Sequence, residues 1–194
     1  MKLQKMRLED INQVSKLYQE ANQFTTVKNI HNWTIEGLNK FPQLNFVIED
    51  GQKIIGAISA ILKNKKGAVI NDIAVLREYQ SKHVGSRLME RLLKELKRQE
   101  VKNPNHSRAV RHSLRTAIGD FYSQKWDIKL RSRAAEYKTH FSGIEKITLW
   151  VHWKNSRAIP FYYRSGFKMK RVSQTQNIPG VPDGEDIIHL EREL

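Results

Sequence analysis

The period of the apolar positions changes several times along this chain, and each change marks an element. Residues 2–7 predict a short strand. Residues 8–21 predict a helix with Ile11, Val14, Leu17 and Tyr18 on its inner face. A second, short helix is expected over 32–39, anchored by Trp33 and Leu38. Residues 45–49 and 54–62 form two antiparallel strands around the turn signal Asp50-Gly51-Gln52. Asn64 to Gly67 then turns the chain into the apolar run Val69, Ile70, Ile73, Ala74 and Val75, a buried strand. Val84, Leu88 and Leu92, with Met89, Leu93 and Leu96 alongside, make one helix stripe, and Glu90, Lys94, Lys97 and Arg98 fall mostly opposite. Downstream, 146–153 alternates Ile147, Leu149, Val151 and Trp153 against Thr148, Trp150 and His152, the pattern of a strand. Residues 155–164 predict a short helix closed by Gly166 at a C-cap, 167–172 and 186–191 the last two strands, and 177–184 a loop.

The junction of the central strand and the helix that follows is the chemically richest place. Gln80 to Ser86 brings backbone N–H groups to a helix start, where unpaired donors and a partial positive charge suit an anion, above all a phosphate. Gln80-Ser81-Lys82-His83-Val84-Gly85, lying between strand and helix, resembles the Gln/Arg-x-x-Gly-x-Gly/Ala motif of the GNAT superfamily of acyl-CoA N-acyltransferases, with His83 where the family usually has glycine. Histidine tolerates the left-handed backbone region better than most residues, so the loop is expected to keep its shape. A second segment, Asn155 through Ala158 and Tyr162 to Gly166-Phe167, is similar to the family's Asn-x-x-Ala-x-x-x-Tyr-x-x-x-Gly-Phe with every spacing kept. The resemblance covers most of the chain except the stretch 101–143.

That resemblance implies one α/β domain spanning 1–194, with a mixed, mostly antiparallel central sheet flanked by helices. It implies N-acetyl transfer from acetyl-CoA to a primary amine by direct attack, with no metal. Ile73, Ala74 and Val75 would offer a strand edge to pantetheine, which can pair with it as an added strand would. Gln80, Ser81, Lys82, His83, Val84, Gly85, Ser86 and Arg87 would lie at the phosphates, although Lys82 equally suits a solvated loop. Asn155 would bond the pantetheine, or cap its own helix, or both. Tyr162 falls on the tyrosine that protonates the departing thiolate, the plain alternative being a core aromatic beside Phe161, and Tyr163 is the neighbour to tell apart from it.

An acceptor amine must lose its proton before attack. Asn71 and Asp72 are adjacent on the strand and point to opposite faces, so one of them sees the cleft. Asp72 is the chemical choice for base, against a structural ion pair. His152 is the second candidate, since imidazole titrates near neutrality, against a structural histidine.

Between the two motifs, 101–143 carries nine Lys or Arg against three Asp or Glu. Apolar residues recur there at spacings of three or four, which predicts one or two amphipathic helices in a basic insertion, broken near Gly119. It could form a solvated helix, a lid over the acceptor, a homodimer contact or an anion-binding face. The whole chain has a net charge of +14 and draws anions, CoA first and nucleic acid second. A non-catalytic CoA-binding or nucleic-acid-binding regulatory module on the same fold is the alternative function, favoured by His83 and the basic stretch. The chain has no cysteine, which excludes disulfides, thiolate nucleophiles and Cys-based metal sites. No run approaches the roughly 20 apolar residues of a membrane helix and the N-terminus lacks a signal-peptide core, so a cytoplasmic protein without membrane association is expected.

Overall fold

The computed structural model describes residues 1–21, 27–64, 66–98, 144–176 and 183–194. Its strands are β1 (Lys2–Lys5), β2 (Asn45–Asp50), β3 (Lys53–Asn64), β4 (Gly67–Val75), β5 (Lys146–His152), β6 (Lys168–Gln174) and β7 (Asp186–Glu193). Its helices are α1 (Ile11–Ala21), α2 (Val27–Lys40), α3 (Val84–Lys97) and α4 (Ala158–Arg164). The strands form one sheet in the order β1-β2-β3-β4-β5-β7-β6. Every pair is antiparallel except β4 with β5. This is the mixed, mostly antiparallel sheet that the sequence implies.

The two faces are covered differently. Ile11, Val14, Leu17 and Tyr18 of α1 and Ile30 and Leu38 of α2 bury against Val47, Ala57 and Ala74 of the sheet. On the other face lies α3, whose Leu88, Leu92 and Leu96 are fully buried. Gly56 of β3 lets it approach: a Cβ there would stand 2.7 Å from Val84 and 3.2 Å from Leu88. Burying a leucine or isoleucine side chain contributes about 1.5–3 kcal/mol, so these two stripes fix where the helices start.

Several elements differ from the sequence expectation for local reasons. Residues 8–10 form a 3-10 turn before α1, where the Asp10 carboxylate accepts the Arg7 backbone N–H at 2.7 Å. The second helix runs from Val27 to Lys40, because its buried stripe is Ile30, Thr34 and Leu38 rather than Trp33, which is half-buried. Thr34 fits that stripe since its hydroxyl donates to the Ile30 carbonyl at 2.8 Å. β5 ends at His152, and Trp153 turns outward with its indole N–H on Glu185 at 3.1 Å. α4 begins at Ala158, three residues later than expected. Gly166, at φ +83°, ends it as the C-cap pattern predicts. The basic insertion 101–143 lies outside the described residues. Among the described residues no helix is long and apolar enough to cross a membrane.

Candidate active site

The opening in this molecule is a gap in its own sheet. β4 and β5 pair only through Gly67–Val69 with Lys146–Thr148. Beyond that, no strand among the described residues pairs with Ile70–Val75 on its β5 side, although β5 continues to His152. Continued in register, the pairing would have set Ile73 beside His152. The parallel strands part instead, which leaves N–H and C=O groups on both edges outside the ladder of the described residues. The central strand is therefore not buried throughout, as its apolar run suggested. Ile73 and Val75 are half-buried and Asn71 is exposed, while Ala74 is buried and offers only its backbone. An edge with unpaired peptide groups accepts an extended, amide-bearing ligand as an extra strand.

At the open end of that edge the chain makes a 3-10 turn (Arg77–Tyr79) and enters α3. Ser81 and His83 have φ of +63° and +61°. His83 therefore adopts the left-handed conformation that glycine usually serves, and no side chain caps α3 there. The N–H groups of Val84, Gly85 and Ser86 have no intrahelical acceptors, and the helix dipole adds positive charge where they point. Ser81, Lys82 and His83 are exposed, Gly85, Ser86 and Arg87 half-buried, and Val84 buried on the sheet. The Gln80 side chain donates to the Val75 carbonyl at 3.2 Å, tying the turn to the strand edge. Lys82 sits 5.0 Å from the centre of the Tyr79 ring. An uncapped 14-residue helix with exposed donors and cations suits a diphosphate.

α4 closes the other side. Phe161 lies beside Gly85, and Tyr162 packs between Phe161 and Phe167 at ring separations of 5.4 and 6.0 Å. Tyr162 is 7% exposed whereas Tyr163 is 46% exposed, so the two neighbours are clearly distinguished. Burial, and then the negative charge of Asp72, hold the Tyr162 hydroxyl well above the ordinary tyrosine range. Tyr162 is thus both the core aromatic and a group that senses the β4 carboxylate. Asn155 accepts the Ala158 N–H at 3.2 Å through its side chain and at 3.1 Å through its carbonyl, which makes it the cap of this turn. At His152, Nδ1 accepts the Lys154 N–H at 3.2 Å, and Nε2 lies 3.4 Å from a Glu185 carboxylate oxygen.

Asp72, half-buried on β4, is linked electrostatically to two tyrosines. It raises Tyr162 from one side and, after burial itself, Tyr18 of α1 from the other. Sequence reasoning placed Tyr18 only in the core. Helical spacing does put it on the inner face of α1, but nothing local says that the face meets the strand bearing Asp72.

Residues 7–115 match a family model described as "Acetyltransferase (GNAT) family". Ard1 from Thermoplasma volcanium has the same fold at a TM-score of 0.65 and 15% identity, over 100% of this chain and 97% of that one. The ribosomal-protein-S18-alanine N-acetyltransferase of Escherichia coli aligns at TM-score 0.62 and 18% identity, over 99% and 92%. Naa20 of Chaetomium thermophilum, solved with a bisubstrate analogue, aligns at 0.61 and 18%, over 100% and 87%. No curated protein matches the sequence.

Proposed function

The chain belongs to the GNAT acetyltransferase family, and from that membership together with the site geometry we propose that it transfers an acetyl group from acetyl-CoA to the α-amino group of a peptide or protein. The observation that carries this reading is the unpaired edge of β4 between the uncapped start of α3 and the buried hydroxyl of Tyr162. When bound, acetyl-CoA supplies a thioester whose carbonyl carbon the amine attacks; a C–N bond forms, the C–S bond breaks, and CoA leaves as a thiolate.

The residues present suit that co-substrate. The backbone of Ile73, Ala74 and Val75 pairs with the pantetheine amides. The first turn of α3, with Lys82 and Arg87, holds the phosphates, and Gln80 fixes the turn to the strand. Asn155 keeps α4 in place through its capping bonds. Asp72 accepts the proton that the amine loses on attack. His152 is left as a structural residue, because its ring nitrogens face Lys154 and Glu185. Held above the ordinary tyrosine range, the Tyr162 hydroxyl is protonated at neutral pH, so it can donate to the sulfur.

A carboxylate is a weak base, and that narrows the acceptor. An α-amino group, with a pKa of about 7.7–8.0, is substantially neutral at physiological pH, whereas a lysine side chain near 10.4 is almost wholly ammonium. The E. coli neighbour is named for acetylating an alanine of a ribosomal protein, which agrees with an α-amine. The +14 chain repels polycations such as spermidine, so they make poor acceptors. The test combines acetyl-CoA with Ala-, Ser- and Met-initiated peptides, a peptide carrying only a lysine amine, and spermidine, and follows thiol release and product mass. Acetylation of peptide α-amines is expected. Faster acetylation of the lysine side chain or of spermidine overturns the acceptor assignment.

A further inference from the structure

Tyr18 carries a hydroxyl with no hydrogen-bond partner among the described residues. The residue is 1% exposed, in the apolar cluster with Val14, Leu17, Val47, Ala57 and Ala74. Its hydroxyl oxygen is buried and bonds to no group among the described residues. Packing alone would be served as well by phenylalanine, and a buried hydroxyl without a partner lowers stability. Such a group in a native protein calls for an explanation, and an ordered water or a catalytic role is the usual one.

The location of Tyr18 supplies that explanation. Asp72 pairs with Ser59 on β3, and Ser59 faces α2, as its hydroxyl bond to Asn45 at 2.6 Å and its place beside Gly37 show. Cross-strand partners share a face, so Asp72 lies on the α1–α2 face with Tyr18. The Asp72 charge reaches the Tyr18 hydroxyl, yet no direct hydrogen bond joins them. A buried hydroxyl and a carboxylate on one face of the sheet, near enough for the charge to be felt and without a direct hydrogen bond, are partners that a bridging water can join.

We propose that Tyr18 is a positioning residue for Asp72: its hydroxyl donates to a buried water that donates in turn to the Asp72 carboxylate, holding it aimed at the gap between β4 and β5. This rests on the assignment of Asp72 as the proton acceptor. Tyr18 then touches neither the acceptor nor acetyl-CoA and acts on rate alone.

The experiment compares Tyr18→Phe, Asp72→Asn and the double variant in the full chain, with acetyl-CoA and the best peptide acceptor from the panel above. In Tyr18→Phe, Tm should fall by no more than about 4 °C, the cost of one buried hydrogen bond, the acetyl-CoA thermal shift should persist, and peptide KM should stay within about two-fold. Its kcat should fall about 3- to 10-fold, the effect of losing one hydrogen bond to a charged network. In the Asp72→Asn background the same change should have no further effect on kcat, because residues acting through one another are not additive. An unchanged kcat in Tyr18→Phe, an equal loss in both backgrounds, or a Tm lower by more than about 8 °C overturns the proposal. If the unmodified protein acetylates no peptide or amine, the proposed function fails first and takes this inference with it; activity with a silent Tyr18→Phe sinks the inference alone.

Discussion

Substitution of Gly85 tests whether the turn before α3 holds the co-substrate. Gly85 is the second residue of α3, and an added Cβ would stand 3.4 Å from Phe161 and 3.7 Å from Val75. Those are ordinary contact distances, so Gly85→Ala fits. Alanine is about 0.5–1 kcal/mol better than glycine inside a helix, so the ligand-free Tm should hold or rise slightly. Valine extends two more carbons toward Phe161, the neighbour of Tyr162. Overpacking of this kind costs about 1–3 kcal/mol and pushes either Phe161 or the turn backbone out of place. Acetyl-CoA at 100 times its Kd contributes about 2.7 kcal/mol of stability. At about 2–4 °C per kcal/mol for a chain of this size, the unmodified protein should gain roughly 5–11 °C. Differential scanning fluorimetry with and without acetyl-CoA should show that full gain, most of it in Gly85→Ala, and less than about 2 °C in Gly85→Val. The Gly85→Val protein must still give a cooperative transition and native circular dichroism. If it does and keeps the full shift, the turn is not the phosphate site.

The remaining predictions concern chemistry and backbone. Tyr162→Phe should lower kcat by about 10² to 10⁴ with acetyl-CoA affinity unchanged, while the exposed Tyr163→Phe stays within about two-fold; steady-state kinetics on the best peptide decides, and equal losses would mean that Tyr162 is not the donor. Burial raises the hydroxyls of Tyr18 and Tyr162 above their unfolded value near 10, so stability is fully present below about pH 10 and is lost as pH rises further. Alkaline unfolding followed by circular dichroism should accordingly begin above about pH 10 and move upward in Tyr18→Phe. His83 at φ +61° forbids β-branching, so His83→Val should cost about 1–2 kcal/mol and shrink the acetyl-CoA shift, whereas His83→Gly should keep it; a Tm for His83→Val equal to that of the unmodified protein would refute the left-handed assignment.

The parts of this fold that depend on local period were legible in the sequence. The α3 stripe and the alternation of β5 each follow from neighbours three, four or two residues apart, and each appears as expected. The Tyr162 motif was legible for the same reason: it lies about two turns after Asn155 and one turn before Gly166, and the structure places a cap at one end and a left-handed glycine at the other. Features set by distant chain were not legible. Trp33 looked like an anchor because it is large, but the face of α2 that meets β3 is chosen by Ile30, Thr34 and Leu38. Trp153 continued the alternation of β5, yet β7 ends its pairing at His152 with Ile187, and the indole turns to Glu185. The splay between β4 and β5 has no sequence signature at all, because an unpaired edge and a paired one carry similar apolar residues.

The position of Asp72, the proposed base, shows why alternation alone could not place its side chain. In a regular strand Ile70 and Asp72 would share a face, since they are two residues apart. In β4 the partners are Ala60 with Ile70 and Ser59 with Asp72, so Asn71 is an extra residue opposite no partner of its own, a bulge. Along β3 there is no such insertion. Ala60 therefore lies on the α3 face with Gly56, which contacts Val84 and Leu88, and Ser59 lies on the α2 face beside Gly37. The bulge thus sends Ile70 toward α3 and Asp72 toward α1, while Asn71 is left exposed. Ile70 is 4% exposed and would be costly to move, so the fold keeps the apolar residue in its core and re-aims the carboxylate. The same extra residue sits where β4 parts from β5, just past the last paired residue, Val69. One inserted residue both begins the opening and turns an acid onto the face that α1 covers with Tyr18. Deleting Asn71 would restore regular pairing with Asp72 still opposite Ser59, so on this reading it leaves the carboxylate on the α1 face and acts only on the opening beside β5.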